Sequence, residues 1–552
     1  MRRWLWVTGG ILFFAGGISA FDVTTARGDQ PAALEAPVAE SPAAESLRLG
    51  LELEQQRQWL EAVQHYESAV RKHPDEASLK HRLLISRIHH DVHRRFQDES
   101  YQRSIRQMGA HQALDLYDET LANIETHYVD SLDWGRLARH GSASLEVALT
   151  EPLFIDSMLK DADPAAVERF RLSVHKQVVG RQMSARNDLR LIASQVANLA
   201  KEEISLDPTA VVMEFTCGAI TALDAYSRFL TPGQLEETFS SIEGNFVGLG
   251  IELKAAEDRL QVINVIAGGP ASEAGIVPGD AIVQVDQTKT ADVTPDHAAD
   301  LLRGPEGSQV GLVIIDPAGK SRSLWVPRRR VDVPCVENVH LVDPAAGIAY
   351  LRLTSFQKTT TRELEKALWD LHQQGMKSLI IDVRGNPGGL LTAAVEVADR
   401  FLTTGRIVTT RGRNTRENFD YTAHRTNTWN VPLTVLIDSD SASASEIFAG
   451  AINDHDRGQL VGETSYGKGS VQGIFRLQAA NCGLCLTTAK FYSPSGQAIS
   501  ERGVKPDVAV EPSHIAARPN DQGQITSDAD DRVLQTAIEA IRGDARLSSL
   551  AR

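Results

Sequence analysis

Residues 437–458 read IDSDSASASEIFAGAINDHDRG and place serines on alternate positions, at Ser439, Ser441, Ser443 and Ser445. The run follows PLTVLID (432–438), an apolar stretch of buried-strand character, and leads into SEIFAGAIND, whose apolar spacing is helical. A strand running straight into a helix is a building unit of a layered α/β core. At such a junction the helix N-terminus offers unpaired amides to a developing anion. A hydroxyl there, flanked by the small residues Ala442 and Ala444, is placed to attack a carbonyl. The competing reading is a helix cap, because Glu446 three residues after Ser443 completes an S-x-x-E box.

Around this junction the chain alternates. GIAYLRL (347–353), MKSLIIDVR (376–384) and PLTVLID read as strands, whereas TTTRELEKALWDLHQQG (359–375) and LLTAAVEVADRFL (390–402) read as helices, with GNPGG (385–389) a tight loop. Residues 239–330 differ. FVGLGIEL, LQVINVI, DAIVQVD, QVGLVIID and SRSLWVP are short strands between Gly, Pro and Asp turns, which predicts a small β-rich domain. The fold class is therefore multidomain α/β, with a helical N-terminal region, the β-rich domain, a layered α/β core over 331–512 and a tail over 513–552 carrying one helix.

The N-terminal third divides further. Arg2 and Arg3 precede an uncharged apolar run from Trp4 to about Ala20, so residues 1–27 read as a signal peptide or signal anchor, with the remainder exported. Residues 28–45 are Ala/Pro/Glu-rich and read as a linker. In 46–105, Leu49, Gly50, Leu53, Ala62, Tyr66, Ala69 and Pro74 fall on the positions of a single tetratricopeptide-like helical hairpin. Small Gly50 and Ala62 would let the two helices approach while Tyr66 fills the space between them. Residues 106–238 are helix-rich, with a buried stripe at Leu114, Tyr117, Leu121, Ile124 and Tyr128.

The net charge of −15 excludes a nonspecific nucleic-acid binder, which needs a basic footprint. Four cysteines are too few to hold an exported chain of 552 residues together by disulfides. CGLC (482–485) lacks the second ligand pair of a zinc site and reads as the turn of a strand–turn–strand unit. The histidines at 81–93 lack carboxylate-backed i, i+4 pairing and read as core or solvated side chains.

A second segment, GETSYGKGSVQ (462–472), crowds glycines around Lys468 and ends on Gln472. It is not a phosphate loop, since Gly469 stands where Ser or Thr is required. A lysine acts as general base only when neutral, and burial in an apolar slot lowers its pKa towards that state. The free amides of RGNPGG (384–389), Gly388 and Gly389 above all, could join that of Ala444 in an oxyanion hole. His455 is a weaker base for Ser443, because about three turns of helix separate the two by ~18 Å.

Together with ALDAYSRFLTP, GPASEAGIVPGDAIVQVD, DVRGNPGGLL and LTTAKFYSPSGQAI, these segments resemble the carboxyl-terminal processing peptidases, tail-specific serine proteases of family S41, over roughly 205–512. The resemblance implies Ser443 as nucleophile, Lys468 as general base, Gln472 as the residue that positions the lysine, and oxyanion-hole amides from Gly389 and Ala444. It implies no metal or organic cofactor. VGLGI (247–251) resembles the carboxylate loop of a PDZ domain, in which Gly248, Leu249 and Gly250 would cradle a terminal carboxylate. Leu249 and Ile251 would border an apolar pocket for the tail. The expected partners are proteins or peptides with apolar C-termini. The N-terminal helices are left as a homodimer or adaptor-docking surface, and the exported chain is expected in the periplasm, free or anchored to the inner membrane. The alternative is a non-catalytic PDZ scaffold that only binds protein tails.

Overall fold

The computed structural model describes residues 4–6, 42–511 and 531–550, except 161, 179, 257, 294–297, 299, 300, 425 and 427. Most of the expected signal segment, most of the linker and the polar part of the tail lie outside the described residues. Among the described residues, no helix is long and apolar enough to cross a membrane.

The helical hairpin starts at Pro42, four residues before the expected boundary, and consists of Pro42–Gln55 and Trp59–Lys72. Tyr66 is fully buried, and a Cβ on Gly50 would lie 2.2 Å from its ring. Only a glycine admits that approach. His89, one of the clustered histidines, stacks on Trp59 at 4.0 Å and takes part in packing.

The helices from Ala77–Gln97 to Pro208–Thr221 share one hydrophobic cluster with Leu477, Cys482, Leu484 and Leu486 of the α/β core. Their apolar faces find partners in a sheet more than 250 residues further along the chain, so helical region and core are one packed body. The segment 106–238 is also not wholly helical. Arg228–Leu230 is a strand, paired antiparallel with Gly483–Cys485 at the edge of a core sheet. Three residues between helices give too short a run for an alternating pattern to register.

The β-rich domain is a sheet in the order 251–255, 260–265, 281–285, 309–315, 321–327. Its turn at Gly279 (φ +95°) is locked by the buried carboxyl of Asp280, which accepts from Val277 N at 3.0 Å and from Arg322 at 2.5 Å. Residues Trp4–Trp6 add an antiparallel strand to the free edge of Ile251–Ala255. The core holds a six-stranded sheet, parallel save for its first strand, in the order 336–343, 348–353, 378–382, 433–437, 459–462, 508–509. Helices flank it, and Arg532–Leu550, the helix expected in the tail, packs on the opposite face through Leu534, Ala537 and Ile538. Arg384 fixes that helix by bridging Asp382 and Asp531.

CGLC is not a turn. The turn lies at 478–481, with Asn481 at φ +49°, and Cys482 already opens the strand Cys482–Tyr492. Residues three apart on a strand face opposite ways, so Cys482 enters the helical cluster while Cys485 packs with Leu230 and Leu235 on the other side.

Gly50→Ala is expected to destabilise the hairpin by roughly 1–3 kcal/mol, since the buried Tyr66 ring cannot withdraw. Lowered thermal midpoints and faster proteolysis within 42–72 would register the change.

Candidate active site

The strand Leu433–Ile437 is buried along its whole length and ends one residue before the serine run. Ser443 occupies the N-cap of the helix Ala444–Asp454 with φ +56° and ψ −111°, a conformation that costs a non-glycine residue about 1–3 kcal/mol. Its hydroxyl makes no cap hydrogen bond. The box is closed from one side alone: Ser443 N donates to Glu446 Oε2 at 2.7 Å. The neighbouring serines are structural. Ser441 Oγ donates to Val383 O at 2.8 Å, and Ser445 Oγ to Asn386 O at 2.9 Å.

Glu446 is fully buried and gathers the loop that carries the lysine. Its Oε1 accepts from Gly467 N and from Ser465 Oγ, both at 2.6 Å, and its Oε2 accepts from Lys468 N at 2.9 Å. The Oε2 atom thus joins the backbones of Ser443 and Lys468 directly. Burial raises the Glu446 pKa, although all four donors work against it.

Lys468 is only 4% exposed, and its amine lies 5.0 Å from the centroid of the Tyr226 ring. Its pKa falls from the ordinary 10.5 to about 8. Burial is the main cause; the Arg228 guanidinium adds to it, while Cys485, Glu446 and Asp224 oppose it. Ser443, Lys468 and Gln472 line one large cavity together with Gly388, Gly389 and Arg228. The Gln472 amide nitrogen donates to Ser470 Oγ at 3.0 Å, so the bond it makes runs along its own strand.

The RGNPGG loop packs against the serine turn. Asn386 is its anchor, donating to Leu353 O at 2.9 Å and accepting from Ala442 N at 3.0 Å through its carbonyl. Gly388 N donates to Asn386 Oδ1 at 2.9 Å and is therefore engaged within the loop, contrary to its expected part in an oxyanion hole. Gly389, at φ +137°, admits no side chain, because a Cβ there would lie 2.1 Å from Phe356 O. A Cβ on Gly388 would lie 2.9 Å from Ala444 N, which measures how closely the loop approaches the helix N-terminus.

Of VGLGI, Val247 lines this cavity, whereas Gly248, Leu249, Gly250 and Ile251 are not among its lining residues. Leu249 and Ile251 are 2% and 3% exposed and belong to the core of the β-rich domain. Gly250 turns the chain at φ +76°, its carbonyl accepting from Ile266 N at 2.9 Å. Glu446, Asn386, Tyr226 and Arg228 were not singled out as site residues from the sequence. The S-x-x-E spacing was the one signal for Glu446, and it reads equally as an ordinary cap.

Residues 347–510 match the family model described as peptidase family S41, and residues 240–315 match that of the PDZ domain. A carboxy-terminal-processing protease of Bartonella bacilliformis is 37% identical over 303 residues, which span 53% of this chain and 68% of that protein. A carboxyl-terminal-processing protease of Synechocystis sp. is 34% identical over 331 residues, 59% of this chain and 75% of its own length. A solved photosystem II D1 C-terminal processing protease aligns with 26% identity over 76% of this chain and 99% of that chain, with a TM-score of 0.38. Relatives matched over two thirds or more of their length carry the assignment beyond the core alone: this chain belongs to the carboxyl-terminal-processing serine proteases of family S41, with a PDZ domain of its own.

Proposed function

We propose that the chain is an exported endopeptidase that takes unstructured protein C-termini on its PDZ domain and cuts peptide bonds with a Ser443–Lys468 dyad. The observation that carries this reading is the buried Lys468 amine, with a pKa of about 8, in the same cavity as a strained serine whose hydroxyl is uncommitted to capping. Ser443 Oγ attacks the scissile carbonyl while Lys468 takes its proton and passes it to the leaving amine. Water then hydrolyses the acyl-enzyme by the same proton route. The amides of Gly389 and Ala444 stabilise the tetrahedral oxyanion, while a part for Gln472 in positioning the lysine rests on the family resemblance, its amide being bonded to Ser470. A tail would bind as an added strand on Ile251–Ala255, its carboxylate at Gly248–Gly250, in the place that residues 4–6 hold antiparallel on that edge. Export rests on the apolar run after Arg2 and Arg3.

A histidine mechanism has less support. His455 caps the far end of the helix and is occupied with Arg406 O at 2.7 Å.

Ser443→Ala and Lys468→Ala should each abolish cleavage of an unfolded reporter, whereas His455→Ala should stay within about twofold of the parent. An activity surviving Lys468→Ala would overturn the dyad. A reporter with a free apolar C-terminus should be cut faster than the same reporter amidated; equal rates would remove the carboxylate site and leave the nucleophile standing.

The lysine also has a stability signature. Its folded pKa lies below the unfolded value, so between about pH 8 and 10.5 the unfolded chain binds more protons and stability rises with pH. Below pH 8 the full cost remains, about 3 kcal/mol. Lys468→Met should therefore raise the urea midpoint at pH 7, and the gain should shrink as the pH approaches 10.5.

A further inference from the structure

We infer that the N-terminal helical hairpin positions the loop carrying Lys468, and that Arg71 is the positioning residue through which it acts; this rests on the Ser443–Lys468 reading above. Arg71 lies in the last turn of the helix Trp59–Lys72. It donates from Nη2 to the Tyr466 hydroxyl at 3.1 Å, and its guanidinium carbon stands 5.7 Å from the centroid of the Tyr466 ring. These two residues are 395 positions apart in sequence.

Tyr466 is two residues before Lys468, in a segment (463–469) without regular secondary structure between the strands Gln459–Gly462 and Ser470–Leu477. The inner side of that loop is fixed by its backbone: Tyr466 N donates to Ser441 O at 3.0 Å, and Gly467 and Lys468 donate to Glu446. The phenol of Tyr466 is a handle beyond these bonds, and the hairpin holds it. The Tyr226 ring that faces the Lys468 amine also feels the charge of Arg71. Arg71, Tyr466, Tyr226 and Lys468 therefore form one group of cations and rings.

The hairpin itself has a firm base. Arg57 is paired with Glu151 at 2.9 Å, and Arg87 of the helix Ala77–Gln97 with Glu67 at 2.9 Å. A displacement of the hairpin by a bound protein would thus be felt at the lysine loop. Arginine suits the position because its planar guanidinium can donate in plane while facing a ring, which an ammonium cannot reproduce.

The test uses the full chain with fluorescein-labelled casein as substrate. Arg71→Ala and Tyr466→Phe are each expected to lower kcat roughly fivefold with KM within about twofold, the size of one exposed cation–ring or hydrogen-bonded contact. The double variant should be no worse than Arg71→Ala alone, since both changes remove the same interaction. Arg71→Lys, which keeps the charge and fits without repacking, should recover only part of the rate. Unchanged kcat in both single variants, with Lys468→Ala inactive, would overturn the hairpin's role and leave the dyad intact. Fully additive losses would also overturn it. Activity in Lys468→Ala would remove the dyad and this inference with it.

Discussion

The arrangement of the site depends on one buried carboxylate. Glu446 sits on the first turn of the helix that follows the serine and accepts four hydrogen bonds: three from backbone amides and one from Ser465. Such a group is costly to desolvate, and it is tolerable only because every donor is in place. The set works as a unit. Removing one partner leaves a buried charge short of a bond, so the turn bearing Ser443 and the loop bearing Lys468 cannot drift independently.

Burial acts on the lysine in the same sense as on the glutamate, towards the neutral form. Four donors offset the cost of burying Glu446, whereas for Lys468 the Arg228 guanidinium adds to that cost and Cys485, Glu446 and Asp224 offset it only in part. Two ionisable groups bonded through one backbone thus have their pKa values moved towards each other, one up and one down.

Much of this was legible in the sequence where the chain repeats a local rule. Leu433–Ile437 running into Ala444–Asp454 follows from hydrophobic period, and Gly50 opposite Tyr66 follows from residue size. Lys468 stood out because glycines surround it. The misreadings share a cause, which is that long-range pairing leaves little local trace. Arg228–Leu230 is a strand because Gly483–Cys485 lies beside it, and CGLC is a strand because the turn closes at Asn481, just before it. Gly388 was credited with a free amide that Asn386 takes, a choice decided by a side chain inside the same short loop. Tyr226 and Arg228 reach the lysine only through that same distant pairing.

The strand Arg228–Leu230 and the helices around it have a consequence for how the chain matures. Their apolar faces are completed by Leu477, Leu484 and Leu486, which are synthesised some 250 residues later. Contacts of such sequence separation make folding slow and leave hydrophobic surface waiting for its partner. An emerging chain therefore has no assembled proteolytic centre until nearly its whole length is available. Completion of the site is thereby tied to completion of the fold, because the helices made first find their last partners in strands made after the serine and the lysine.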